Sequence, residues 1–315
     1  MDESIFVLLL RTIVYGWVIA LWELIKELCA RCKKQKDGGR RPTQSGCVRI
    51  DHPAFVRPDP LIYAQHYLAS QGLAVTWNNP DISLFKAGVP VSSASLDPAT
   101  TYEVRARIWN KSAEAPVIDM PVHLSFLSFG VGAELIPVGT VKADVGVLGS
   151  PDQPGFATWL WTTPSTPGHY CLQVLLDPAD DLNPANNLGQ ENTHVGSAHS
   201  PAEFTFTLRN NTRRIHRYRF ELDNYQIPKL PKCANATTGR EARLRPHQRA
   251  LYPVPTGFAV QITPPTPTLN PDESALITVR VEPPAGFLGE QPINVNVFHE
   301  QGFAGGVTLI CVKEV

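Results

Sequence analysis

Residues 101–110 read TYEVRARIWN. Tyr102, Val104, Ala106 and Ile108 fall on one side of an extended chain, and Glu103, Arg105 and Arg107 on the other. A period of two is the mark of a half-buried β-strand. Runs of the same kind follow: PVHLSFLSF at 121–129, ELIPVGTV at 134–141, GFATWLWTT at 155–163 and GHYCLQVLL at 168–176. In the third, Trp159 and Trp161 share one face while Thr158 and Leu160 share the other. Each run is bounded by Pro, Gly, Asp or Asn, which set turns. With 29 Pro and 22 Gly in 315 residues, turns are plentiful and long helices are not expected. Strands at about ten-residue spacing without an intervening helical period predict an antiparallel sandwich.

A second series begins near residue 200. AEFTFTLRNNT (202–212) places Phe204, Phe206 and Leu208 on one face, and HRYRFEL (216–222) sets His216, Tyr218 and Phe220 opposite Arg217, Arg219 and Glu221. In ESALITVRVEPP (273–284) Ile277, Val279 and Val281 alternate with Thr278, Arg280 and Glu282. QPINVNVF (291–298) alternates Ile293, Val295 and Val297 with Asn294 and Asn296. The expected fold class is therefore all-β: two immunoglobulin-like antiparallel β-sandwiches, at 80–196 and 197–315, the second interrupted by a polar insertion at 225–256. The composition, 43% hydrophobic and 18% charged, suits packed cores rather than disorder. A net charge of −1 gives no reason to expect nucleic acid as a partner.

The runs PDISLF, YEVRARIWNKSAEAP and GFATWLWTTPSTPGHYCLQVLLD, with the closing NPANN, resemble the immunoglobulin-like CARDB module of prokaryotic proteins. The residues that carry the likeness are Asp81, Asn110, Trp161, Gly168, Tyr170, Asn186 and Asn187, within residues 80–196. LNPDESALITVRVEPPAGFLGEQPINVNV (269–297) resembles immunoglobulin-like domains of bacterial surface and enzyme-accessory proteins. These resemblances imply binding and spacer units, found mostly outside the cytoplasm.

The other end of the chain reads differently. Residues 5–22 are apolar except for Arg11. As a helix they would be about 27 Å long, close to the hydrocarbon thickness of a bilayer. The residues before them are acidic, and Lys26, Arg31, Lys33, Lys34, Lys36, Arg40 and Arg41 follow them. A cleaved secretory signal has the opposite arrangement. We therefore expect residues 1–32 to form a single transmembrane helix anchored by Trp17 and Trp22, with Arg11 snorkelling or paired to a neighbouring helix. Residues 33–79 read as a basic, proline-containing linker with a short helix in DPLIYAQHYLASQG (59–72). Charge asymmetry places the sandwiches in the cytoplasm; the CARDB-like resemblance favours the outside.

Chemistry is sparse. The chain has no nucleophile elbow, P-loop or dinucleotide fingerprint. Its nine histidines are scattered, with no H-x-x-x-H pair. Cys29-x-x-Cys32 has half the spacing of a zinc site but no second half nearby; Cys171 and Cys311 lie in apolar strands and read as buried hydrophobes. Asp177, Asp180, Asp181, Asn183, Asn186 and Asn187 offer hard oxygens for calcium but lack EF-hand spacing, and the same side chains build Asx turns. Arginines concentrate in LRNNTRRIHRYRF (208–220), where alternation turns Arg213, Arg214 and Arg217 outward as a contact face. No catalytic residue, cofactor or metal site is expected, and the chain reads as no enzyme. The reading is a membrane-anchored interaction or scaffold subunit with the bilayer and other proteins as partners, and Arg11, Trp17, Trp22, Arg213, Arg214 and Arg217 as its contact residues. The alternatives are a surface adhesion-type protein and the accessory domains of an unrecognised hydrolase.

Overall fold

Alternating polarity becomes alternating burial along β4 (Thr101–Asn110), where Tyr102, Val104, Ala106 and Ile108 are buried. The computed structural model describes residues 57–128, 130–195, 203–227 and 251–313, all within one compact unit. β4 pairs with β1 (Pro60–Leu61), β2 (Ile82–Lys86) and β8 (Gly155–Thr162), and β2 pairs with β3 (Val89–Val91). The register sets Tyr102 opposite Trp161 and Val104 opposite Trp159. The facing sheet has the order β10 (Leu188–Val195), β9 (Gly168–Leu176), β5 (Val117–Ser128) and β7 (Leu135–Val145). The two sheets enclose a core of Trp159, Trp161, Leu124, Leu172 and Val174, among others. Both tryptophans are buried and Leu160 between them is 73% exposed, as the period-two reading requires.

The second sandwich pairs β14 (Ala259–Thr263) with β16 (Ser274–Glu282), and β16 with β11 (Glu203–Arg209). Its other strands are β13 (Arg219–Asp223), β17 (Gly289–His299) and β18 (Gly302–Lys313), with a small pair of β12 (His216–Arg217) and β15 (Thr268–Leu269). Phe206, Leu208, Ile277, Val279, Val295 and Leu309 fill its core. The described residues are thus all-β apart from α1 (Gln65–Ser70) and one 3-10 turn (Pro184–Asn186).

Two features depart from the simple expectation of separate antiparallel units. Residues from the β5–β7 connection form β6 (Gly130–Val131), which runs parallel to β11 and places Val131 in the second core. Glycine makes this approach possible: a Cβ at Gly130 would lie 2.2 Å from the Thr207 carbonyl oxygen, and one at Gly132, where φ is +74°, 2.4 Å from that of Arg209. The second departure is on β17. Asn294 and Asn296 are 0% exposed, where alternation with valines suggests a solvent face. Asn294 Nδ2 donates to Asp223 Oδ1 (2.6 Å) and to the Tyr225 carbonyl (2.9 Å), and Asn296 Nδ2 donates to Asp223 Oδ2 (2.7 Å). Thr308 Oγ1 donates to Asn294 Oδ1 (2.7 Å) and accepts from the Trp77 backbone N–H (2.8 Å). The outer face of β17 is therefore covered, and its amides exchange water for one another and for a carboxylate.

Residues 57–79 do the covering. Gln65 is fully buried, its Nε2 donating to the carbonyls of Gln190 (2.6 Å) and Thr76 (3.2 Å) while its Oε1 accepts from the Gln190 N–H. The Trp77 carbonyl accepts from Asn192 N–H (2.9 Å) on β10, and its ring stacks on Phe303 at 6.2 Å. One short segment is thereby bonded to both sandwiches. Among the described residues no helix is long and apolar enough to cross a membrane. The expected transmembrane segment, with Arg11, Trp17 and Trp22, and the Cys29/Cys32 pair lie outside the described residues, as does most of the 225–256 insertion.

Candidate interaction surface

The loop between β11 and β12 is held from within by Asn210, which is 0% exposed. Its Nδ2 donates to the carbonyls of Arg214 (2.7 Å) and Leu269 (3.0 Å), and its Oδ1 accepts from the Thr212 N–H (3.1 Å) and hydroxyl (2.8 Å). Asparagine is suited to this because one short side chain can serve as donor and acceptor at a turn. The loop so braced displays Arg213, Arg214 and Arg217, all exposed, around Ile215, which is 61% exposed. None of the three guanidinium groups is paired with a carboxylate side chain among the described residues. Arg219, next along the same face, lies over the Phe298 ring at 4.5 Å and is bonded to Glu221.

Behind this face the last residue of β17 is His299, and the turn that follows carries Glu300. Glu300 Oε2 accepts from His216 Nδ1 (3.0 Å) and Oε1 from the Arg217 N–H (3.0 Å). These bonds, with a backbone bond within the residue as the largest cause, hold the Glu300 carboxyl down at a pKa of about 2. The imidazoles of His216 and His299 stack at 4.3 Å. Burial, then the neighbouring His216, lowers the pKa of His299. Sequence reading treated these histidines as scattered, since β12 and the end of β17 are distant in the chain and meet only in the fold.

A cavity of about 240 Å³ lies where the segment 57–79 meets both sandwiches, lined by His66, Trp77, Val131, Gln190, Asn192 and Gly305 among others. His66 is half-buried, and desolvation lowers its pKa. The oxygen-rich run after β9 is engaged in structure: Asp180 pairs with Arg57, Asp181 accepts from the Asn183 N–H and Asn187 Nδ2, and Asn186 Nδ2 donates to Asp59. Cys171 and Cys311 are free and buried, and burial raises the pKa of both.

No protein-family model matches the chain, and no curated protein does. Among solved structures, a CARDB domain of Pyrococcus furiosus in complex with di-metal ions aligns at 16% identity and a TM-score of 0.27, covering 39% of this chain and 94% of that one. A chitin-binding domain from Burkholderia pseudomallei aligns at 12% identity and 0.21, covering 33% and 56%. The Yersinia pseudotuberculosis adhesin InvE aligns at 12% and 0.19, covering 69% and 55%. Identities and TM-scores this low place none of the residues described above in a known site.

Proposed function

We propose that this chain is a membrane-anchored, non-enzymatic interaction protein. Its two sandwiches form a platform that binds an acidic protein partner through Arg213, Arg214, Ile215 and Arg217. The observation that carries the reading is the loop braced by Asn210. A loop already fixed by internal hydrogen bonds loses little entropy on binding, and arginine around an exposed aliphatic residue is a composition suited to interface anchors. Guanidinium groups without a carboxylate partner among the described residues are free to take a carboxylate bidentately. The apolar segment 5–28, with its basic flank, supplies the anchor in this reading, and Arg11, Trp17 and Trp22 its membrane contacts.

The test is co-purification from native membranes in mild detergent. Arg213→Ala/Arg214→Ala/Arg217→Ala should reduce recovery of a specific partner by at least about tenfold, equivalent to about 1.4 kcal/mol, with an unchanged circular dichroism spectrum. Undiminished recovery would refute the assigned face. Release of the protein into the supernatant on carbonate extraction would refute the anchor.

A further inference from the structure

We propose that the cavity between the two sandwiches binds a small uncharged polyhydroxylated molecule, a monosaccharide unit in size and chemistry. Its floor is the outer face of the β9–β10 pair. The register sets Gln190 opposite Gln173 and Asn192 opposite Cys171. Alternation thus puts the carboxamides of Gln173, Gln190 and Asn192 on the face that a lone sandwich would show to water. In this protein His66, Trp77 and the β18 glycines Gly305 and Gly306 form the other walls around that face. Gln190 Nε2 donates to Gln173 Oε1 (2.9 Å), and Asn192 Nδ2 reaches the Thr308 carbonyl at 3.5 Å. Gln173 Nε2 and Asn192 Oδ1 have no hydrogen-bond partner among the described residues. Half-buried amide groups in such a cavity take their remaining hydrogen bonds from whatever fills it.

The lining sets the class of ligand. No Asp, Glu, Lys or Arg lines the cavity among the described residues, so an ion would give up its hydration there without a counter-charge. Carboxamides both donate and accept, as hydroxyl groups do, and neither carries a charge. Leu127, Val131 and Leu188 supply an apolar part of the wall. Water satisfies the amides but leaves these side chains wetted; a ring with a C–H face and a hydroxylated edge satisfies both. Size agrees with this class. A cavity of about 150 Å³ holds benzene, and 240 Å³ leaves room for a six-membered ring with its hydroxyl groups. Entry is from the rim, where Leu135 is 48% exposed and Asn211 is exposed as well.

The experiment uses the full chain in a polyoxyethylene detergent, which carries no sugar headgroup to compete. Glucose, galactose, mannose and N-acetylglucosamine are titrated singly, each against its amino-sugar or uronic-acid counterpart, and binding is followed by saturation-transfer NMR. At least one neutral sugar should saturate a single site with a dissociation constant in the millimolar range or tighter. Its charged counterpart should bind at least about tenfold more weakly. Asn192→Leu removes an amide from the floor, and Ala133→Trp fills space at the wall. Each should weaken binding by at least about tenfold with an unchanged circular dichroism spectrum; Gln173→Met takes the place of either variant that fails to fold. Absence of saturable binding by every neutral sugar, equal binding of the charged counterpart, or unaltered affinity in the folded variants would overturn the site.

Discussion

Glu191 places a carboxyl group inside the first sandwich, where it accepts from Ser93 Oγ (2.6 Å) and from the Asn79 N–H. Burial dominates these bonds and pushes its pKa up to about 8, from an ordinary value of 4.5. A carboxyl raised in the folded state favours the folded protein while it stays protonated. That stabilisation is complete below the unfolded value and is lost as pH rises through the folded one. Stability should therefore fall between about pH 5 and pH 8, by an amount on the order of 3–5 kcal/mol from this residue. Glu191→Gln mimics the protonated acid and should flatten the profile. Urea unfolding at pH 5 and pH 8 measures both, and parallel profiles for the two proteins would exclude Glu191 as the cause. Asp223 is matched by two amide donors, Asn294 and Asn296. Asn294→Ala removes one donor and leaves Thr308 without its acceptor. A loss of about 1–3 kcal/mol in the same urea assay is expected; a loss under about 0.5 kcal/mol would mean that water substitutes for the amide.

Among the elements, β6 shows how little chain is needed to join two domains. The sequence Gly130-Val131-Gly132 lets a two-residue strand lie against β11 and deliver one valine to the neighbouring core. Gly130→Ala places a methyl group against the Thr207 carbonyl, and a cost of about 1–3 kcal/mol follows, typical of overpacking. Gly139→Ala on β7, where a Cβ would meet its nearest atom at 3.7 Å, is the control and should change stability by under about 0.5 kcal/mol. Thermal melts give both values, and equal effects would show that the β6 contact is dispensable. The longer strands were legible in the sequence because alternation along β4, β8 and β16 reports directly which face is buried. β17 was only half legible. Its valines announce a core, but whether Asn294 and Asn296 meet water depends on what lies over them, and the segment around Trp77 comes from the far end of the chain. β6 is too short to have a period, and its glycines read as an ordinary turn. Arg217 faces outward opposite His216 as the alternation of β12 requires, whereas Arg213 and Arg214 are exposed because they lie in the bend before it. The His216–His299–Glu300 cluster was not legible, because no local spacing links a residue to the turn of a distant hairpin.

At the scale of the molecule, the two sandwiches are expected to unfold together. They share β6, and residues 57–79 bond to β10 through the Trp77 carbonyl and to β18 through its N–H. The ring of Trp77, 2% exposed, packs against His66 at 5.7 Å and Phe303. Gly306 leaves the space for it, since a Cβ there would come within 2.6 Å of Trp77 Nε1. Contacts spread across one junction make it cooperative: neither sandwich can lose its side of the junction without exposing apolar surface on the other. A platform built this way presents its loops in a fixed relation, which matters if a partner touches both sandwiches. Differential scanning calorimetry should show a single transition for the parent protein, with the calorimetric enthalpy equal to the van't Hoff value. Trp77→Ala leaves a cavity and a loosened strap, at a cost of about 3–5 kcal/mol, and should split that transition into two. A parent protein that already melts in two steps would show that the sandwiches are thermodynamically independent, and the junction would then be a tether rather than a coupling.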